Sequence, residues 1–507
     1  MSGARSNEEL TEATARGLRW VTYGRLLTEV LLLVSMVALA RLIPPSAFGM
    51  FAIAVIVQEL AINVPSEGVA SAIVQRDTVD RAHLQGGFAL ALLIGAALTL
   101  LGLVLCVVVV DPVFGHQTAT MVAWTTPWFL LGATVALPQA MLRRDLDFRR
   151  LSMLTLAQSA GRSGVTIVLA AGFGLDGPAL VFGSLAGILA MTVLGFAFQP
   201  VPFPRWRGAA IRDLLPYGGP ASLACFCWAG FRNGDYAIVG ARLGAAQAGF
   251  YWRGYQLAVE YQSKISSMMT QMAFPVLART AGADELFAMR RRMVQLLTTV
   301  SFPLLCGLVV LAPTLIPWLF GPAWEPAVLP TQILAGAGAS SVVIDAVGAV
   351  LMATGRSRAM LGYGVAHFAF YIVAVLIGSR WGLTGVSIAS VSSHAVFLVV
   401  AYQVMLHGRG ERVLKFLWED VRAGAVGVAA MAAVAVPVDA AVGDAGVPVV
   451  LHLAIVGAVA GVAYLLVLWR LFPAAWTDLS ALLRRVLPSG PVRRITARVP
   501  ALAGRSS

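Results

Sequence analysis

Mostly apolar runs, each near the roughly 20 residues that a membrane helix needs, recur along this chain, separated by short stretches holding arginine, acidic residues, glycine and proline. Marking each run at its flanking charges and turn residues predicts about fourteen helices. They span 19–41, 49–74, 83–110, 118–142, 151–173, 177–198, 214–240, 248–277, 293–313, 326–354, 360–378, 383–406, 422–441 and 448–470. Pro65 and Gly68 predict a break inside the second. The pattern is that of an all-α polytopic membrane protein.

Composition supports this and narrows the function. Of 507 residues, 58% are hydrophobic and 12% charged, with a mean hydropathy of +0.80. A soluble domain has about 25% charged residues. The shortfall argues against an ordinary soluble enzyme, a disordered protein and a nucleic-acid reader. The net charge of +12 is read through topology. The N-terminus, the connections after even-numbered spans and the C-terminal tail together hold 29 of the 37 basic residues. The opposite connections hold only Arg41, Arg242 and Arg380. Both termini are therefore expected in the cytoplasm, the chain crossing the membrane many times. No small-residue cleavage site follows the first apolar run, so that run is expected to remain as a span. Cys106, Cys225, Cys227 and Cys306 lie in apolar stretches without metal-ligand spacing, which predicts core or lipid-facing thiols.

The chain also repeats itself. Ala40-Arg41-Leu42 with Phe48-Gly49-Met50 returns as Ala241-Arg242-Leu243 with Ala248-Gly249-Phe250. Met141-Leu142-Arg143-Arg144 precedes a basic turn as Met352-Ala353-Thr354-Gly355-Arg356 does, and Gly174-Leu175-Asp176-Gly177 is echoed by Gly382-Leu383-Thr384-Gly385. Ordered offsets of about 200–210 residues point to duplication of a six-helix unit. An even number of spans gives both copies the same orientation, related by an axis along the membrane normal. The expected layout is a cytoplasmic segment 1–18, a first lobe 19–198, a linker 199–213, a second lobe 214–408, two further spans within 422–470 and a basic tail 471–507.

Ionisable groups at membrane depth cost at least about 2.5–3.5 kcal/mol each, so they face a cavity or one another. Arg25 and Glu29 lie one turn apart in the first span; Gln58, Glu59 and Glu67 are in the second; Arg162 is in the fifth, beside Gln158, Ser159 and Ser163. Arg232 and Asp235 have i, i+3 spacing in the seventh, and the eighth holds Arg253, Glu260 and Lys264. One reading is a hydrophilic lumen. There Arg25, Arg162, Arg232 and Arg253 would hold an anionic head group, since a guanidinium fork suits phosphate oxygens. Glu29, Glu59, Asp235 and Glu260 would neutralise them or carry a coupling proton. The alternative is internal ion pairs that fix helix register.

Asp345, alone in an apolar tenth span, is either a proton site or a helix contact, while His367 and His394 read as single packing histidines. Trp318, Trp324 and Trp381 near span ends suggest an interfacial belt. Trp476–Val486 reads as an amphipathic segment on the cytoplasmic leaflet. There is no GxxxxGK[ST], GxSxG, HExxH or CxxC sequence, and no loop long enough for a catalytic domain. The chain therefore reads as a transporter rather than an enzyme, with no cofactor, metal or nucleic acid expected.

Several stretches resemble a known family. Ala40-Arg41-Leu42-Ile43-Pro44-Pro45-Ser46-Ala47-Phe48-Gly49 is similar to its A-R-L-L-x-P-x-x-F-G, and Arg232-Asn233-Gly234-Asp235-Tyr236-Ala237-Ile238-Val239-Gly240 to its R-N-x-D-x-x-x-[IV]-G. Ala72-Ile73-Val74-Gln75-Arg76, Leu142–Arg150, Phe274-Pro275 and Leu319-Phe320-Gly321-Pro322-Ala323-Trp324 occur in the expected order. The chain thus resembles Wzx-type polysaccharide exporters of the multidrug/oligosaccharidyl-lipid/polysaccharide (MOP) superfamily over about residues 15–410. Pro65-Ser66-Glu67-Gly68 departs from the Gly-rich apolar stretch common there. The resemblance implies a V-shaped MOP architecture and a flippase for undecaprenyl-diphosphate-linked oligosaccharide, working by alternating access and driven by H+ or Na+. Membrane lipids, a polysaccharide polymerase and glycosyltransferases are the implied partners. Lipid II flipping, multidrug antiport, and polymerisation or ligation of the same glycan are the alternatives.

Overall fold

A computed structural model describes residues 24, 27–76, 78–267, 269, 282–354, 356–407, 410 and 412–486; within these, the side chains of 60–67, 217, 219–232, 283–284, 357 and 482–486 are not described. The described residues form helices and no strands. In chain order these are α1 (27–42), α2 (Pro45–Pro65), α3 (Ser71–Gln75), α4 (Arg81–Leu105), α5 (Asp111–Phe114), α6 (His116–Thr125) and α7 (Pro127–Arg144). There follow α8 (Phe148–Phe173), α9 (Gly177–Phe198), α10 (Gly208–Leu243), α11 (Ala245–Tyr255), α12 (261–267) and α13 (Ala283–Phe320). The last are α14 (Val328–Ala353), α15 (Ser357–Gly378), α16 (Gly382–Met405), α17 (Val413–Asp444), α18 (Val449–Leu471) and α19 (Pro473–Val486).

Eight stretches are long and apolar enough to cross a membrane by length and composition among the described residues. The chain is a multi-pass membrane protein. Helix α8 shows why the count falls below the fourteen expected apolar runs: it is 26 residues long but carries Gln158, Ser159, Arg162 and Ser163 at its centre. Large exposed side chains such as Leu100 (66%), Val107 (71%) and Leu361 (69%) are costly in water and unremarkable against lipid tails.

The break expected at Pro65 and Gly68 is a π-turn, Ser66–Ala70, that joins α2 to α3 without ending the helix. Proline has no N–H to continue the ladder, and a wider turn absorbs the missing bond. Two further π-turns, Cys106–Val110 and Gln256–Glu260, join α4 to α5 and α11 to α12. Helix α10 starts at Gly208, inside the stretch 199–213 expected as a linker.

The chain forms two compact units. The first comprises Met1–Trp252 with Leu319–Ala323, and the second Arg253–Trp318 with Trp324–Ser507. In the first, α7, α8 and α9 bury Trp128, Leu142, Leu154 and Ile188. A Cβ at Gly183 would overlap the Thr166 hydroxyl, so only glycine lets α9 approach α8 this closely. At the other side of the unit, α2 and α11 meet backbone to backbone. A Cβ at Gly49 would overlap the Ala245 carbonyl, and one at Gly249 the Pro45 carbonyl. Both partners differ by the same 200 positions, the offset of the sequence repeat. The basic turns do local work as well: the Arg144 guanidinium donates to the carbonyls of Ile73 (3.1 Å) and Arg76 at the end of α3. In the second unit Arg356 likewise donates to Val404 (2.8 Å) and Met405 (3.2 Å) at the end of α16. Free carbonyls at a helix C-terminus attract cations.

The second unit buries Val342, Val343, Ala346, Val347 and Val350 of α14 against α13 and α16. The α17–α18 hairpin is fastened to α13 by the Tyr464 hydroxyl, which donates to the Thr299 carbonyl at 2.8 Å. Ala475 and Leu479 of α19 pack into the α17–α18 cluster. Arg292 of α13 pairs with Asp478, a second tie between the tail helix and this unit. Cys106 and Cys306 are buried free thiols, as expected of core residues.

Candidate functional site

In the first unit the polar residues of the apolar runs gather around α2. The Asn233 side-chain amide donates to Glu59 Oε2 at 2.8 Å, joining α10 to α2. One position earlier, Gln58 faces α9, its amide donating to the Ser184 hydroxyl at 2.9 Å. Trp128 Nε1 donates to the same oxygen at 3.3 Å. Adjacent residues on a helix diverge by about 100°, so α2 links two neighbours through consecutive side chains. Asp235, 1% exposed, accepts from the Tyr251 hydroxyl at 3.0 Å and from the Tyr236 backbone N–H at 2.9 Å. The rings of Tyr236 and Tyr251 meet edge-on at 6.0 Å. A buried carboxylate is tolerable only with such donors. Arg162 is half-buried, its guanidinium 5.9 Å from the centre of the Phe51 ring.

Glu59, Asp235 and Arg162 thus line elements of one unit, where sequence spacing had placed them in three separate spans. Arg25 lies outside the described residues, and the side chain of Arg232 does too, so the expected Arg25–Glu29 and Arg232–Asp235 pairs are not described. Glu29 is half-buried on α1. In the second unit Arg253 is 3% exposed, its Nη1 donating to Gln256 Oε1 at 2.8 Å and its guanidinium 5.3 Å from the Trp324 ring. Trp324 is fully buried, which corrects its expected place in an interfacial belt; the 3-10 turn Pro322–Ala327 turns it inward. Trp318 and Trp381 are exposed, at 39% and 69%. Glu260 ends the π-turn half-buried, and Lys264 lies over the Tyr261 ring at 4.9 Å.

One buried charged cluster of the second unit was not expected from the sequence. Arg290 and Asp420, read as residues of cytoplasmic connections, are both fully buried and 2.6 Å apart. The Tyr402 hydroxyl donates to Asp420 Oδ2 at 2.7 Å and accepts from Arg290 at 3.2 Å. Arg291 reaches Asp420 Oδ1 at 3.4 Å and Glu419 at 2.8 Å. The signal lay in helical periodicity: Leu286, Arg290, Met293, Val294 and Leu297 share the buried stripe of α13, and Phe416, Asp420 and Ala423 that of α17. Reading the triple arginine 290–292 as a topology marker hid the one that faces inward. Outside the spans, the Asp80 carboxylate caps α4, accepting from the His83 N–H at 2.8 Å; that bond holds its pKa below the usual carboxylate value.

A helical membrane protein with buried polar side chains joining its helices is the class this geometry defines, and the comparisons give it a family. The profile described as "Polysaccharide biosynthesis protein" matches residues 38–329. Lipopolysaccharide biosynthesis protein WzxC of Escherichia coli K12 is 26% identical over 407 residues, covering 78% of this chain and 82% of that protein. Teichuronic acid biosynthesis protein TuaB of Bacillus subtilis 168 is 24% identical over 396 residues, covering 75% and 81%. Among solved structures, the lipid II flippase MurJ in an inward closed conformation aligns with a TM-score of 0.69 at 13% identity, covering 88% of this chain and 97% of that one. An inward-facing multidrug resistance MATE family transporter aligns with a TM-score of 0.60 at 14% identity, covering 78% and 94%. The chain belongs to the polysaccharide biosynthesis protein family.

Proposed function

We propose that this protein flips a lipid-linked oligosaccharide, an undecaprenyl-diphosphate glycan, outward across the bacterial cytoplasmic membrane for surface polysaccharide assembly. The observation that carries the reading is the family match over residues 38–329. The polar residues around α2 fit it, because a pyrophosphate crossing an apolar layer needs cationic and hydrogen-bonding partners. In this reading Arg162, with Arg25 and Arg232, meets the diphosphate. Glu29, Glu59 and Asp235 balance those charges, while Arg253, enclosed by Trp324 and Gln256, orients its own segment beside Glu260. The fourteen-span layout with two six-helix lobes and cytoplasmic termini belongs to the same proposal. It is supported by the matched 200-residue offset of the Gly49 and Gly249 contacts and by the separation of basic residues along the chain.

Deleting the gene should abolish the surface polymer and accumulate lipid-linked repeat units on the inner leaflet. Normal polymer with no accumulated intermediate refutes the proposal. A polymerase would give a different result, single repeat units still reaching the surface. Arg162→Ala should reduce export with the protein retained in the membrane; full export at equal expression removes Arg162 from the head-group site.

A further inference from the structure

Two histidines that read as isolated in the sequence meet halfway along the α15–α16 hairpin. His367 lies eleven residues before the end of α15, and His394 twelve after the start of α16. At 1.5 Å per residue each is about 17 Å from the turn, near the middle of a hydrocarbon layer about 30 Å thick. Their rings are edge-on, with centroids 5.2 Å apart at 86°. His394 Nδ1 lies 2.8 Å from the Ser390 carbonyl oxygen. A carbonyl only accepts, so this nitrogen carries the hydrogen, and in the neutral ring Nε2 is left as an acceptor. His367 stacks on Phe397 at 4.5 Å, and its Nε2 is buried without a hydrogen-bond partner among the described residues.

The immediate surroundings of the pair are aromatic. Tyr363 and Tyr371 flank His367 at ring distances of 5.9 and 6.3 Å, and Tyr371 also meets His394 at 5.7 Å. The Tyr363 hydroxyl is engaged elsewhere, donating to the Phe397 carbonyl at 3.2 Å. Helix α14 packs against both α15 and α16 and carries one ionisable residue, Asp345, which interacts electrostatically with Tyr363. Helix α17, which also contacts α16, has no ionisable residue between Arg422 and Asp439. Packing alone gives no reason for a buried imidazole nitrogen without a partner, since buried polar atoms are normally satisfied.

We propose that His367 and His394 form a binding site for one proton at mid-membrane. The step is protonation alone: a hydronium ion gives its proton to the lone pair of an imidazole nitrogen and leaves as water. A second proton is opposed by the first, one ring away. If the protein is the flippase proposed above, this proton is its coupling ion. That clause rests on the earlier reading, whereas the proton site does not.

The test is an imidazole NMR titration of the full-length, histidine-labelled protein in lipid nanodiscs from about pH 4 to 8, with no glycan lipid present. The expected result is a coupled pair. His367→Gln and His394→Gln should each move the midpoint of the remaining ring by more than about one pH unit, the threshold of a coupled titration. Proton uptake by neither ring of the wild type across this range overturns the proposal without any variant. Independent titration, with the remaining ring left in place by either substitution, overturns it as well. Coupled titration in a protein whose deletion leaves export unchanged keeps the proton site and sinks the flippase reading. Export by the wild type with no coupled titration does the reverse.

Discussion

Replacing Asp420 with leucine should destabilise the second unit more than any other single change at its charged cluster. Arg290 and Asp420 are both 0% exposed and 2.6 Å apart. At an effective dielectric of about 20, charges that close attract by about 6 kcal/mol. Desolvating each ion costs several kcal/mol, so the pair's net contribution is small, whereas breaking it by removing one partner costs about 3–5 kcal/mol. The geometry makes the loss unequal. Without Arg290, Asp420 still accepts from Tyr402 at 2.7 Å and faces Arg291 at 3.4 Å. Without Asp420, Arg290 keeps the Tyr402 hydroxyl oxygen at 3.2 Å and the faces of Phe416, Tyr402 and Phe287 at 4.9–5.9 Å. Such face contacts are worth about 0.5–2 kcal/mol each. Asp420→Leu should therefore lie near about 5 kcal/mol, Arg290→Met near about 3 kcal/mol, and the double variant within about 2 kcal/mol of wild type. Denaturant unfolding in bicelles, followed by tryptophan fluorescence, measures all four corners of the cycle. Single variants within 1 kcal/mol of wild type, or a double variant no better than Asp420→Leu, refute the argument.

The remaining predictions concern other sites. Glu59→Ala should cost about 1.5–3 kcal/mol, the worth of a hydrogen bond to a charged group, by removing the carboxylate acceptor of the Asn233 amide; the exchange Glu59→Gln with Asn233→Asp should recover most of it in the same unfolding assay. Gly49→Val should force α2 and α11 apart, costing about 1–3 kcal/mol of overpacking and raising the thiol labelling of an Ala245→Cys reporter; unchanged labelling contradicts the close contact. Asp80 has a lowered pKa in the folded state. Its stabilisation is thus present above the ordinary carboxylate pKa and is lost as pH falls through the lowered value. Amide exchange at His83, corrected for intrinsic rate, should lose protection on acidification in wild type and show no such dependence in Asp80→Ala. The effect is small because the side chain is exposed and screened.

What the sequence determined by itself was largely the one-dimensional part of the protein. Apolar runs are legible because a membrane helix satisfies its own backbone, so its position depends on local composition; α9 spans Gly177–Phe198, the limits drawn from the sequence alone. The family was legible too, since short motifs around Arg41, Arg143 and Arg232 recur in order. Pairing was not legible. Glu59 finds Asn233 across 174 positions and Arg290 finds Asp420 across 130, and nothing local encodes either partner. Trp324 read as a surface belt residue because sequence shows depth along a helix better than which way a turn faces. The two histidines show the same limit. Each read as packing on its own helix, and only the tertiary structure, by folding α15 back on α16, brings the two titratable rings to one depth and within one ring's width of each other.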